Sequence, residues 1–294
     1  MPAVRILFTR FSAFYAPLIA TMAGGFLGEE GLDYEWSRLP RGGSAAVALQ
    51  ENVADVAQAT PGVSLIALAR GQGADMRHFA QINRKDGFFI AGRHADPQFQ
   101  WGKLEGARVL VDHGLQPLTM FRHACLKAGI DCGKVKVIDA GNAAEMEQAF
   151  RAGEGDYIHL QGPAPQALEY DGAGYVVAEV GRLTGQGIFS SLAALPAWLA
   201  TDEARAFTRA YRRATAWITQ ASPDEIAACL RSFFPDLHVS SLAACIAAYQ
   251  GLGNWSPHAE IAKQDLDATQ DLFIQAGYIR ERCAYDMICA APPA

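Results

Sequence analysis

The sequence predicts an α/β protein of two lobes, each a wound sheet of β-α-β-α-β order. Three observations carry this. A supersecondary pattern is written twice at an offset of about a hundred residues; each copy places a helix between short apolar strands, as parallel sheets require; and the 294 residues, half of them apolar, suffice for two cores of ordinary domain size.

In the first copy Val4-Arg5-Ile6-Leu7-Phe8 reads as a strand, followed by a helix that stops before Gly24-Gly25 and a strand at Leu32-Asp33-Tyr34-Glu35-Trp36. In the second, Arg108-Val109-Leu110-Val111 leads into a helix through Met120 to Ala128-Gly129, then a strand at Val135–Ile138. Glycine is the residue a helix C-terminus prefers. Each copy continues through a glycine and small residues into a short helix, Gly42-Gly43-Ser44-Ala45 in one and Gly141-Asn142-Ala143 in the other. Each then reaches an aspartate and a brief apolar strand that ends in a polar residue near proline: Asp55 to Thr60-Pro61, and Asp156 to Gln161-Gly162-Pro163.

The segment from His94 to Lys103 breaks the pattern and suits a passage between lobes, with a return near Gly185 to Ser191. Residues 1–91 with 190–294 are expected to form lobe 1, and residues 92–189 lobe 2. Beyond Leu195 the chain reads as helices at Asp202–Gln220, from Ser222-Pro223 onward, at Ser240–Tyr249 and at His258–Ala276, expected to pack on lobe 1.

Composition narrows the partners. The 25 Lys and Arg against 31 Asp and Glu give a net charge of −6, with no basic run to neutralise a phosphate backbone, so nucleic acid is not expected. The apolar stretch from Phe11 to Leu27 is broken by Pro17 and Gly24-Gly25, which argues against a membrane span. Although Arg5 and Arg10 precede it, it reads as strand and helix rather than a signal peptide. The six cysteines show no C-x-x-C spacing and suit buried thiols; no metal and no cofactor are expected. Phosphate-loop, zinc-protease and dinucleotide fingerprints are absent.

Ligands of open α/β sheets sit beyond the carboxyl ends of the strands, and the candidate site follows from that edge. Phe11, Ser12, Phe14 and Tyr15 follow the first strand and read either as an aromatic wall or as core. Gly42, Gly43 and Ser44 read either as an anion-receiving helix start or as an ordinary cap. Thr60 and Gln161 end equivalent strands on opposing lips and form the preferred pair. Asn83, His113, Gln116, His159 and Ser190 complete the candidates, the last at a hinge.

The stretch Gly25-Phe26-Leu27-Gly28-Glu29-Glu30-Gly31-Leu32-Asp33-Tyr34-Glu35, the Gly42-Gly43 turn, Asn52-Val53-Ala54-Asp55-Val56 and Leu104-Glu105-Gly106-Ala107-Arg108-Val109 resemble the type-2 substrate-binding proteins of ABC importers. The resemblance is to the nitrate, alkanesulfonate and thiamine-pyrimidine binding group, and it covers nearly the whole chain. It implies a periplasmic-binding-protein type 2 clamshell, two lobes joined by two crossover strands, which captures a small sulfonate-like or pyrimidine-like molecule and hands it to an ABC transporter permease. Location would be periplasmic where an export segment has been removed, and cytoplasmic otherwise. The rival expectation is a cytoplasmic enzyme on the same fold, a pyrimidine synthase, decarboxylase or lyase using His113 or His159. The cysteine-rich motif of the fungal pyrimidine synthase is missing from this sequence.

Overall fold

A computed structural model describes residues 3–73 and 75–294. Among the described residues ten strands form two five-stranded mixed sheets. The strands are β1 (Ala3–Phe8), β2 (Asp33–Arg38), β3 (Val56–Ala59), β4 (Arg77–Asn83), β5 (Phe88–Gly92), β6 (Arg108–Val111), β7 (Lys136–Ile138), β8 (Tyr157–Gln161), β9 (Tyr175–Glu179) and β10 (Ser190–Ala194). One sheet runs β2-β1-β3-β10-β4 and the other β7-β6-β8-β5-β9.

The expected repeat is present strand for strand. In each sheet the first three strands are parallel, with Ile6 facing Trp36 and Val56 in one and Val109 facing Val137 and Tyr157 in the other. Parallel strands covered on both faces read as unbroken apolar runs, which is why all of β3 is buried. The edge strand β2 is largely exposed and carries Asp33, Glu35 and Arg38, charges that discourage pairing with another chain.

The fourth position in each sheet departs from a purely parallel reading. There β10 runs antiparallel to β3 and β4, and β5 runs antiparallel to β8 and β9. Each is the strand that has just arrived from the other half. The boundary expected after residue 91 therefore falls inside a strand: Phe88 pairs with Gln161, and Ala91 with Ile158. Strand pairing puts the first crossover at residues 84–87 and the return at residues 180–189. The 94–103 segment is not a passage between sheets, because it leaves β5 and enters β6 of the same sheet.

Glycines make the crossovers tight. A Cβ on Gly87 would meet the Phe14 ring, and one on Gly181 the backbone carbonyl of Asp86. The first crossover is held from the side, where Asn254 Oδ1 accepts from the N–H groups of Arg84 and Lys85 at 3.1 Å each.

The C-terminal helices at Asp202 and Pro223 start at side-chain caps, whereas the helix expected from His258 begins only at Lys263, without one. Thr201 caps Asp202–Ile218, which has Asp202 and Glu203 in its first turn, and Ser222 and Glu225 form a reciprocal capping box on Pro223–Leu230. The first of these helices buries Phe207, Ala210, Tyr211, Ala214 and Ile218 at helical spacing. The Val239–Leu252 helix touches both halves. It packs against the Ala164–Tyr170 helix, and its Tyr249 hydroxyl donates to Gly87 O at 2.8 Å while accepting from Gly162 N–H at 2.9 Å. No helix among the described residues is long and apolar enough to cross a membrane.

Candidate ligand-binding cleft

The carboxyl ends of β1, β3, β6 and β8 converge with the two crossovers on a cavity of about 210 Å³ lined from both sheets. Its walls are built from β3 outward. Gln58 turns its amide oxygen to Thr9 N–H at 3.1 Å, Thr9 Oγ1 at 2.9 Å and Arg10 N–H at 3.1 Å, and its amide nitrogen donates to Ser190 Oγ at 3.0 Å. One buried side chain thus fixes the loop after β1 and ties it to the returning strand.

That loop aims Arg10 across the cleft. Its guanidinium lies 2.6 Å from Asp112 Oδ2 and 5.6 Å from the centre of the Phe88 ring. Burial alone would raise the Asp112 pKa, but the Arg10 charge and hydrogen bond, with the Gly114 N–H, outweigh it and hold the carboxyl below its ordinary value. A second bridge lies deeper: Thr60 hydrogen-bonds to the Gln116 amide oxygen, and Gln116 Nε2 donates to Phe189 O at 3.1 Å.

Between these bridges Phe88 and Phe189 give apolar walls, and Tyr15 and Gln161 face each other from opposite lobes. The Tyr15 hydroxyl is within hydrogen-bonding reach of the Gln161 amide, yet neither amide atom of Gln161 has a well-formed partner. Burial pushes the Tyr15 pKa up to about 12, so the phenol stays protonated. Arg10 is the one charged side chain lining this cavity among the described residues, and Asp112 neutralises it. A larger hollow of about 300 Å³ lies behind Gln116 and Phe189, between the Leu115–Lys127 and Lys263–Gln275 helices. It is lined by Arg84, Lys85 and Asp86 of the first crossover and by Thr184 to Phe189 of the second, and takes in neither the loop after β1 nor the end of β8, so the smaller chamber is the candidate site.

Of the fourteen residues singled out by the sequence, Tyr15, Thr60, Gln116 and Gln161 line the chamber. Three others support it from beneath. Ser190 receives Gln58, Asn83 Nδ2 donates to Phe14 O at 2.7 Å, and Ser12 Oγ accepts from Phe14 N–H at 3.0 Å. Phe14 itself is wholly buried in the core. Phe11 stands outside the chamber in an aromatic stack with Trp36 at 5.0 Å and Phe234 at 5.2 Å, with the Arg38 guanidinium 4.3 Å over its ring. Gly42, Gly43 and Ser44 are exposed, and Ser44 caps the Ala45–Gln50 helix through Val47 N–H. The capping reading of that turn suffices, and it does not line the chamber.

The two histidines stand apart from the cavity lining. His113 is exposed at the rim, its Nδ1 2.7 Å from Val111 O. His159 is buried below the floor, stacked on Phe88 at 4.4 Å with no partner for either ring nitrogen, and burial lowers its pKa to about 3. Neither is placed to exchange a proton with a guest in the chamber. Sequence reasoning passed over Arg10, Gln58, Phe88 and Phe189. The one available signal was the position of Arg10 just beyond a strand's carboxyl end.

A family model described as NMT1/THI5 like matches residues 13–226. The chain belongs to the NMT1/THI5-like family. The match begins after β1 and takes in the rest of the first copy, the whole of the second and both crossovers. This NMT1/THI5-like chain is also 26% identical over 289 residues to a Bacillus subtilis (strain 168) protein named "Putative binding protein YtlA", spanning 97% of this chain and 86% of that one. Among solved structures, it resembles the alkanesulfonate-binding protein SsuA from Xanthomonas axonopodis pv. citri bound to MOPS, with TM-score 0.72, 17% identity and 97% of each chain covered. It also resembles the periplasmic nitrate-binding protein NrtA from Synechocystis PCC 6803, with TM-score 0.67, 16% identity, and 98% of this chain and 84% of that one covered. Both are two-lobed periplasmic-binding-protein folds, and so is this chain.

Proposed function

We propose that this protein is a solute-binding protein that closes its two lobes on a small, uncharged, planar molecule and delivers it to an ABC importer in the periplasm. The carrying observation is the unsatisfied Gln161 amide opposite the Tyr15 hydroxyl, between Phe88 and Phe189. A buried polar group without a partner is costly, and a ligand that supplies one recovers that cost. A glutamine amide offers one donor and one acceptor side by side, which matches the edge of a pyrimidine, while the phenyl rings suit its faces. A sulfonate has a weaker claim here. It needs an uncommitted cation or a row of N–H donors, and Arg10 is already paired.

Because the lining comes from both sheets, a guest makes its full set of contacts only when the lobes are together, and binding shifts the population toward closure. The matches to YtlA, SsuA and NrtA support the binding role. Isothermal titration with cytosine and with taurine tests the ligand class. Saturable heat with cytosine and none with taurine is expected; the reverse result would replace the pyrimidine reading by the sulfonate one. Chemical conversion of the bound compound on prolonged incubation would overturn the binder reading itself.

A further inference from the structure

Away from the cleft, two of the six cysteines form a pair. The Leu115–Lys127 helix ends in a Schellman turn: Ile130 N–H bonds back to Cys125 O at 3.0 Å and Gly129 N–H to Leu126 O at 3.0 Å, with Gly129 in the left-handed region. This turn folds the chain back along the helix. Asp131 then caps a single 3-10 turn, Cys132–Lys134, which packs against the helix end. The result packs Cys132 against the cluster that holds Cys125, seven residues earlier, close enough for each thiol to shift the other's ionisation. Cys125 is sealed in the core, whereas Cys132 reaches the surface.

We propose that Cys125 and Cys132 are a redox dithiol that closes to an intramolecular disulfide when it meets a low-molecular-weight disulfide. The Cys132 thiolate attacks one sulfur of the oxidant RS–SR and expels RS⁻, leaving Cys132–S–SR. Cys125 then loses its proton and attacks Cys132 Sγ, forming the Cys125–Cys132 bond and releasing the second RS⁻. Two thiols are oxidised, one external disulfide is reduced to two RSH, and the two protein protons go to the leaving thiolates.

The asymmetry of the site sets this order. The neighbouring Cys125 thiol favours the thiolate of Cys132, with help from the Arg122 charge and against burial, and lowers the Cys132 pKa. The same contact, with burial, pushes Cys125 up. The attacking thiol is therefore the accessible one, and the resolving thiol is out of reach of any bulky oxidant until the mixed disulfide is beside it. Cys283 and Cys289 make a useful contrast: they are neighbours, but both are pushed up from their ordinary values.

The test uses the native full-length chain incubated with oxidised glutathione, acid-quenched, alkylated and cut with trypsin. Lys127 lies between the cysteines, so the disulfide joins the peptides His123–Lys127 and Ala128–Lys134. That joined species is expected, and it should disappear on reduction. In Cys125→Ala the reaction should stop at glutathione on Cys132, and in Cys132→Ser both peptides should remain unmodified. Wild-type protein that accumulates the Cys132 glutathione adduct, links between chains, or retains both free thiols overturns the proposal. The wild-type peptide map decides even where Cys125→Ala fails to fold.

Discussion

Arg10 and Asp112 meet at 2.6 Å, one from the loop after β1 and the other from the loop after β6. The two loops are equivalent in the two copies of the repeat. The ion pair is therefore a contact between related loops and forms only while the lobes are together.

Asp112→Asn should weaken closure. A pair with one buried partner is worth more than a surface pair, but about a third of the Arg10 side chain sees solvent, so the loss is put at about 1 to 2 kcal/mol. Small-angle scattering should show a larger radius of gyration for the variant without ligand. The Asp112 pKa is depressed, so the pair's contribution is full above the ordinary carboxylate value near 4 and vanishes as pH falls through the lower folded value. A wild-type radius that stays compact however far below the ordinary carboxylate range the pH is taken would contradict this.

Gln161→Leu keeps the volume of the wall and removes both polar atoms. Cytosine affinity measured by calorimetry should fall about 10- to 100-fold, the worth of one or two buried hydrogen bonds. Tyr15→Phe should cost less, about 10-fold at most, because the ring and its packing remain. Equal affinity in all three proteins would exclude this pair from the binding surface.

Asp86, in the first crossover, is fully buried, with one carboxyl oxygen accepting from Phe88 N–H at 2.6 Å and the other unpartnered. Burial raises its pKa to about 7, against the Phe88 hydrogen bond and with added repulsion from Asp112. A folded value above the unfolded one means that stability is fullest below about pH 4 and declines as pH rises through 7. Asp86→Asn keeps the acceptor and removes the titration. Its melting temperature should exceed wild type at pH 8 by an amount corresponding to at most about 4 kcal/mol, with the two curves converging near pH 4. Parallel curves across that range would show that Asp86 is ionised throughout.

Gly162 has no room for a methyl group. A Cβ there would stand 2.5 Å from Cys245 Sγ and 2.7 Å from Tyr249 Oη, the hydroxyl that joins the Val239–Leu252 helix to both crossover and cleft. Gly162→Ala should destabilise by about 2 to 4 kcal/mol in chemical denaturation. A loss below about 0.5 kcal/mol would mean that the helix yields easily.

The repeat was legible because periodicity and glycine stops are local: Arg108–Val111 forms the expected strand residue for residue, and Asp202–Ile218 begins at its cap. The antiparallel strand in each sheet was not, since Phe88–Gly92 and Ser190–Ala194 carry the same apolar pattern whichever sheet receives them. For the site, Thr60 and Gln161 could be read from their places at strand ends. Gln58 could not, because a buried glutamine inside a strand announces itself only through partners 48 to 132 residues away. Gly42-Gly43-Ser44 showed the reverse: a sequence suited to an anion, at a surface turn with an ordinary cap.

The return of the chain to its first sheet as β10 has a consequence for how the molecule can be taken apart. The β7-β6-β8-β5-β9 sheet is one uninterrupted stretch of chain, residues 88–179, but the other sheet takes β10 from beyond it, so a gene cut at either crossover divides the β2-β1-β3-β10-β4 sheet and exposes the edges of β3 and β4. Half-molecules should be insoluble when produced singly and recover solubility when made together, so that the unit of inheritance for this architecture is the entire clamshell.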